Sequence, residues 1–319
     1  MTRLLLCALR PLAVFSALSL LAALEAAELA VVKSGRGVAV NADGKLFTEY
    51  LIATGPKPIL WPIIGPTGVA MTRAFPMELV DGEKQDHPHQ RSFWFTHGNV
   101  NGVDFWSEND NHGTIVHREF REVSAGKEMA VISTRNDWLG PDGKKQLEDQ
   151  QTLTFRVAGE RRTIDFDIKL VASDGPVTFG DTKEGTMGVR IPTVMDLASE
   201  KGGHIITSEG LTDRTAWGKP ASWVDYHGPI DGAQVGIAVM NHPSSFRYPT
   251  RWHVRDYGLF AANPFGLREF EGNERLDAAH TLPAGESIGL RYRFVFHQGD
   301  EKAARIAEAF ADYAQEPKP

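Results

Sequence analysis

The chain has 319 residues, 41 of them acidic and 34 basic, for a formal net charge of −7 at pH 7. An acidic balance with no basic run argues against nucleic acid and anionic membrane surfaces as partners, and favours a small-molecule or glycan ligand. The single cysteine, Cys7, stands ahead of an apolar run near the N-terminus, so neither thiol chemistry nor disulfides are expected of the mature chain.

Residues 1–27 read as a secretory signal: Arg3 supplies charge, Pro11 to Leu24 is apolar, and Ala26 and Ala27 are small enough for cleavage. The apolar run is shorter than the roughly 20 residues that cross a bilayer, so no membrane span is expected after cleavage, and the destination is the periplasm or the exterior. Residues 28–319 are expected to form one β-sandwich domain.

From residue 30 to 298, short alternating segments are broken by Gly, Asn, Asp and Pro, the pattern of antiparallel sheet. In Arg162–Val171, Ile164, Phe166, Ile168 and Leu170 share one face while Asp165, Asp167 and Lys169 take the other. Similar strands are predicted over Thr114–Val123, Met129–Asn136, Gln151–Val157, Val235–Met240 and Leu290–His297, with turns at Pro141-Asp142-Gly143 and Asp231-Gly232. About a dozen strands at this spacing predict an all-β fold, a large antiparallel sandwich or barrel. Asp174–Arg190 and Ser208–Pro229 read as loops over one face. A C-terminal helix is predicted over Glu301–Ala314, capped by Asp300, with Ala303, Ile306, Ala307, Phe310 and Tyr313 on its apolar stripe.

Five of the 11 histidines, His87, His89, His97, His112 and His117, fall in one short window. In His87-Pro88-His89 an extended backbone puts both imidazoles on one side, where a divalent transition metal would need a third ligand such as His97, His112 or His117. The competing reading of the window is a metal-free polar or catalytic pocket, with no cofactor expected. Arg91, Trp94, Asn101 and Trp106 supply forks and ring faces suited to a polyhydroxylated ligand, although Asn101-Gly102 also reads as a hairpin turn. A second polar cluster runs from Asp181 to Arg190 and contains Glu184, a carboxyl whose protonation a nearby cation or burial would set. The third holds Asp225-Tyr226-His227, Asn241-His242-Pro243 and Arg251 to Tyr257, where His253 and Arg255 share a face if extended. No nucleotide-binding glycine pattern or H-E-x-x-H helix occurs.

The stretch from Asp86 to Trp106, DHPHQRSFWFTHGNVNGVDFW, resembles an uncharacterised family of exported bacterial proteins labelled methane oxygenase PmoA-like. Gly180-Asp181-Thr182-Lys183-Glu184-Gly185, Trp223 to Gly228, Asn241-His242-Pro243 and Asn263-Pro264-Phe265-Gly266 carry the same resemblance, which covers essentially the mature chain. The label names a subunit that spans a membrane, and nothing after residue 27 is long and apolar enough to do so. The resemblance implies a sandwich of the galactose-mutarotase type, common among carbohydrate-active enzymes, and supplies no catalytic residues.

The leading expectation is an exported carbohydrate-processing enzyme of hydrolase, lyase or epimerase type. His89, His97, His227 and Glu184 are its acid–base candidates, with Arg91, Trp94, Asn101, Trp106, Arg190, His253 and Arg255 binding substrate. The alternatives are a glycan-binding protein without turnover and a metal-dependent enzyme built on His87 and His89.

Overall fold

The computed structural model describes residues 27–317, so the signal expected over residues 1–27 lies, but for Ala27, outside the described residues. In chain order the strands are β1 (Leu29–Ser34), β2 (Gly37–Ala42), β3 (Lys45–Leu51), β4 (Ile59–Ile63), β5 (Phe93–His97) and β6 (Thr114–Ala125). They continue as β7 (Ala130–Leu139), β8 (Lys145–Ala158), β9 (Arg161–Val171), β10 (Val177–Phe179), β11 (Gly185–Arg190) and β12 (His204–Thr207). The last six are β13 (Trp223–Ile230), β14 (Ala233–Asn241), β15 (Arg251–Val254), β16 (Leu259–Asn263), β17 (His280–Leu282) and β18 (Ser287–Gln298). Two helices, α1 (Leu267–Glu271) and α2 (Ile306–Tyr313), complete the set.

Two eight-stranded antiparallel sheets result, one ordered β1-β2-β3-β4-β5-β11-β16-β15 and the other β12-β13-β14-β18-β9-β8-β7-β6, with β10 and β17 forming a separate pair. The inner faces pack through aromatic rings. Phe93 of the first sheet lies 4.6 Å from Phe294 and 5.8 Å from Phe166 of the second, and Phe95 stacks on Phe166 at 5.8 Å. Ile164, Phe166, Ile168 and Leu170 are buried in this core, as their alternation predicts. The all-β fold is therefore the one expected.

Two of the expected loops contain central strands. β11 lies within Asp174–Arg190 and pairs with β5 and β16, while β13 occupies the end of Ser208–Pro229, runs on to Ile230, and pairs with β12 and β14. Glycines at 185 and 188 interrupt the apolar alternation of β11, and Asp225 and His227 interrupt that of β13. Helix α2 begins later than the sequence suggests. Asp300 Oδ1 does accept the Lys302 and Ala303 amides at 3.1 and 2.8 Å, but Arg305 then turns left-handed at φ 54 and separates that turn from the helix. The break changes the buried face: Ala303 and Ala307 are exposed, while Ile306 and Tyr313 pack with Trp223, Met240 and Val295 on the outside of the second sheet.

Candidate functional site

The outer face of the first sheet carries a small apolar cluster distinct from the sandwich core: Leu51, Ile59, Trp94, Trp106, Leu259 and Ala261. Alternation along β5 and β16 sends Trp94, Leu259 and Ala261 outward while Phe93, Phe95 and Phe260 face the core. The Trp94 and Trp106 rings are 5.3 Å apart. Around this floor stand His89, His87, Tyr257, Arg255, Trp217 and His253 in a continuous arc. His89 lies 6.4 Å from Trp106 and 5.7 Å from His87, and His87 stacks on Tyr257 at 5.1 Å. The Arg255 guanidinium sits 5.3 Å from the Tyr257 centroid and 5.7 Å from that of Trp217, whose ring is 6.3 Å from His253.

Several polar atoms on this face are buried without a partner among the described residues: the indole Nε1 atoms of Trp94, Trp106 and Trp217, and Nε2 of His253. An unmade hydrogen bond of this kind costs about 1–3 kcal/mol, so atoms grouped this way point to a polar occupant. His253 Nδ1 meets the Lys183 carbonyl at 2.9 Å and must carry the proton there, which leaves Nε2 a free acceptor. Burial lowers the His253 pKa to about 3 and keeps the ring neutral.

The loop bearing His87 and His89 is held from below by two buried arginines. Arg73 donates to the backbone carbonyls of Asp86 and His87 at 2.8 and 3.1 Å and pairs with the Asp86 carboxylate. Arg190 reaches Asp86 at 2.9 Å and also bonds Gln90. Burial alone would raise the Asp86 carboxyl, but the two guanidiniums hold it below the usual range. His87 takes a left-handed φ of 46 and the segment turns, with the Gln90 amide donating to the His87 carbonyl at 3.0 Å. The segment is therefore not extended, although the two rings still meet. Burial, with Lys57 and His87 acting in the same direction, pushes the half-buried His89 down to about 4. Arg91 forks onto Glu108 at 2.7 and 2.6 Å, and buried Lys57 joins the same carboxylate at 3.0 Å.

Glu184 approaches from the other side on a tightly held loop. His97 Nε2 bonds the Gly180 carbonyl at 2.8 Å, and Asn263 Nδ2 donates to the Thr182 and Lys183 carbonyls at 2.9 and 3.0 Å. The Asp181 carboxylate accepts the Arg268 and Ala278 amides at 3.0 and 2.6 Å. Burial pushes the Glu184 carboxyl up, against the pull of Lys183 and with help from Glu269 and Asp104. Asp104 acts electrostatically on both Glu184 and His89, and Glu184 also acts on Tyr257, which places all four groups around one region.

Of the residues expected from sequence, the face gathers His89, Arg91, Trp94, Trp106, Glu184, Arg190, His253 and Arg255. Trp94 and Trp106 are 1% and 0% exposed, so they form its floor rather than an open platform. His97 is fully buried on the core side between Phe179 and Phe265, and acts on the site only through the Gly180 loop. His227 is on the second sheet, outside the cluster altogether. Its Nδ1 lies 2.6 Å from Asp225, whose other oxygen meets His297 at 2.6 Å, and Glu301 is 3.9 Å away. Asn101 is an exposed turn residue with φ 52, bonded to Gln146 and to the Thr178 amide.

The third metal ligands considered for His87 and His89 are engaged elsewhere: His97 as above, His112 on the Gly113 carbonyl, and His117 against Phe120 and Asn136. Among the described residues, the donor group whose atoms lie close enough for an ion is instead Asp225, His227 and Glu301. Sequence reasoning missed Arg73, Lys57 and Trp217 as parts of the site, whereas Asp104 stands in the histidine window and Tyr257 ends the third cluster.

A cavity of about 660 Å³ lies on the opposite side of the molecule, along the outer face of the second sheet, lined by Ser133, Thr152, Asp167 and Arg291 among others. Some of its polar groups bond one another, as in Thr152–Ser133 and Arg291–Asp167 at 3.4 and 2.9 Å. A polar outer face is what alternation leaves on any half-solvated antiparallel sheet. For that reason the volume alone does not outweigh the buried unpartnered donors of the first sheet.

The model of a family of unknown function, DUF6807, matches residues 37–311. The chain belongs to that family. The methane-oxygenase label is no part of the DUF6807 description, and no curated protein matches the sequence. Among solved structures, the GH36 alpha-galactosidase AgaA of Geobacillus stearothermophilus is similar at 12% identity and TM-score 0.40, over 86% of this chain and 41% of that one. An alpha-galactosidase of Lactobacillus brevis is similar at 10% identity and TM-score 0.42, over 91% of this chain and 43% of that one. The DUF6807 chain thus spans about two fifths of these enzymes. A galactose mutarotase related enzyme of Lactobacillus acidophilus is similar at 11% identity and TM-score 0.33, over 84% of this chain and 97% of that one. Among the described residues, no helix is long and apolar enough to cross a membrane.

Proposed function

We propose that this chain is an exported carbohydrate-processing enzyme that transfers protons to and from a sugar on the outer face of its first sheet. One observation carries the reading: the buried, unpartnered Nε1 atoms of Trp94, Trp106 and Trp217 and Nε2 of His253 share a face with the half-buried titratable groups His89 and Glu184. Three donors and one acceptor suit hydroxyl groups, which both accept and donate, and indole faces suit the C–H face of a pyranose.

Opposed pKa shifts assign the roles. His89, lowered to about 4, is neutral at ordinary pH and serves as the base. Glu184, raised by burial, holds its proton longer than an exposed carboxyl and serves as the acid. Asn263, His253 and His97 are positioning residues that fix the Glu184 loop, while Arg73 and Arg190 fix the loop of His89.

The test is to incubate the protein with a panel of oligosaccharides and follow products by mass spectrometry and NMR, alongside His89→Gln and Glu184→Gln. The account expects both variants to bind the substrate of the parent and to lose turnover. Undiminished turnover in either would defeat the assignment, and binding with no product in the parent would leave a glycan-binding protein.

A further inference from the structure

The arginines expected to grip a substrate are already spent: Arg91 is bidentate to Glu108 and Arg190 is bound to Asp86 and Gln90. Arg255 is different. It forms no ion pair and no side-chain hydrogen bond among the described residues, yet its guanidinium is fixed in place between the rings of Trp217 and Tyr257. Flanking rings of this kind orient the planar fork and lower the entropy lost when it binds. Trp217 Nε1, buried and without a partner, lies beside it, as does the free Nε2 of the 2%-exposed His253. A cavity of about 290 Å³ opens there, lined by Arg214, Trp217, Val254, Arg255 and Asp256.

The charges around Arg255 decide what it takes. Asp256 is occupied by Arg214 at 2.8 Å, and Lys183 by Glu269 at 3.0 Å. Lys183 also lies 3.7 Å from Glu184, so among the described residues Arg255 is the cation of this group left without a carboxylate. The end of the site near Arg255 therefore presents an uncompensated, preorganised cation with an indole donor beside it.

Resting on the sugar reading above, we infer that the substrate is an anionic glycan, with a uronate carboxylate or a sulfate ester held by Arg255 and Trp217 Nε1 and a neighbouring hydroxyl donating to His253 Nε2. A planar guanidinium matches both anions bidentately, and a neutral sugar would leave it unsatisfied.

The experiment is calorimetric titration of the whole protein with oligogalacturonate, oligoglucuronate and oligomannuronate, their carboxyl-reduced neutral counterparts, and sulfated galactan oligosaccharides. Arg255→Gln and Arg255→Lys are run beside the parent after their melting curves have been matched to it. The expected result is binding of an acidic or sulfated oligomer, weakened roughly ten- to hundredfold in Arg255→Gln, partly restored in Arg255→Lys, and weakened similarly by reducing the carboxylate. Preference for uronate over sulfate names the anion. Equal binding of charged and neutral oligomers, or an unchanged affinity in Arg255→Gln, overturns the anionic subsite and leaves the sugar site standing. No binding of any saccharide overturns both.

Discussion

Gly188 lies directly beneath Trp94. The two are register partners across β11 and β5, and a β-carbon on Gly188 would fall 2.6 Å from Cζ2 of the indole. The missing side chain lets the ring lie flat against the sheet and form the floor of the site. Gly188→Ala should therefore tilt Trp94, costing about 1–3 kcal/mol of stability by overpacking and weakening oligosaccharide affinity as well. Chemical denaturation and calorimetry on one preparation check both effects. An alanine variant that binds as the parent does would show that the Trp94 floor is not part of the binding surface.

The two shifted groups set a pH profile. His89 must be neutral, so activity should rise as pH climbs through about 4, and Glu184 must be protonated, so activity should fall as pH passes its raised value. The expected curve is a bell, with the acidic limb removed in a His89 variant that keeps residual turnover. A rate that only increases through neutrality to alkaline pH would speak against Glu184 as the acid. Loss of either group should lower kcat by roughly 10²–10⁴.

Much of the fold can be read from the sequence because its strands are long and half-buried, as in β9, where period-two alternation is unbroken. The site is less legible. β11 is glycine-rich because it lies under a tryptophan, and nothing in a single chain says which ring will lie over it. His97 stands in the densest histidine window yet points inward, since alternation from Phe93 and Phe95 sends it to the core side. His227 stands beside Asp225 in sequence and bonds it in the fold, but strand order, which sequence does not display, puts β13 in the other sheet. Arg255 was singled out, whereas its freedom from ion pairs depends on Asp256 turning to Arg214.

Acid should destabilise the protein through its buried neutral histidines. His97 is held neutral by burial, with a pKa near 4 against an ordinary value of 6.5. The unfolded chain therefore binds the proton first, and stability is full above pH 6.5 and lost as pH falls towards 4, by about 3 kcal/mol for this group. Urea midpoints measured between pH 7 and 4 should show that slope, and His97→Gln should flatten it. An identical slope in parent and variant would assign the loss to other groups.

The Asp225 triad should hold the C-terminal segment to the second sheet. Burial disfavours the His227 cation, but the bond and charge of Asp225, joined by Glu301, raise its pKa. The sign is opposite to that of His97: this contribution is complete below the ordinary pKa of 6.5 and is lost as pH rises through the raised value. Asp225→Asn, which leaves two buried imidazoles without their counter-charge, should cost about 3–5 kcal/mol. Hydrogen exchange should show α2 and the turn before it opening first. Protection unchanged across residues 299–313 would contradict the role given to the triad.

The most direct test of the account is a crystal structure of Glu184→Gln soaked with the oligosaccharide that the parent turns over. The account predicts sugar density on the outer face of the first sheet, with hydroxyl groups within hydrogen-bond reach of the Trp94 or Trp106 indole nitrogens and of His253 Nε2, and with His89 facing the reacting carbon. Density in the cavity beside Asp167 and Arg291 on the second sheet, with the first sheet's face left empty, would contradict it.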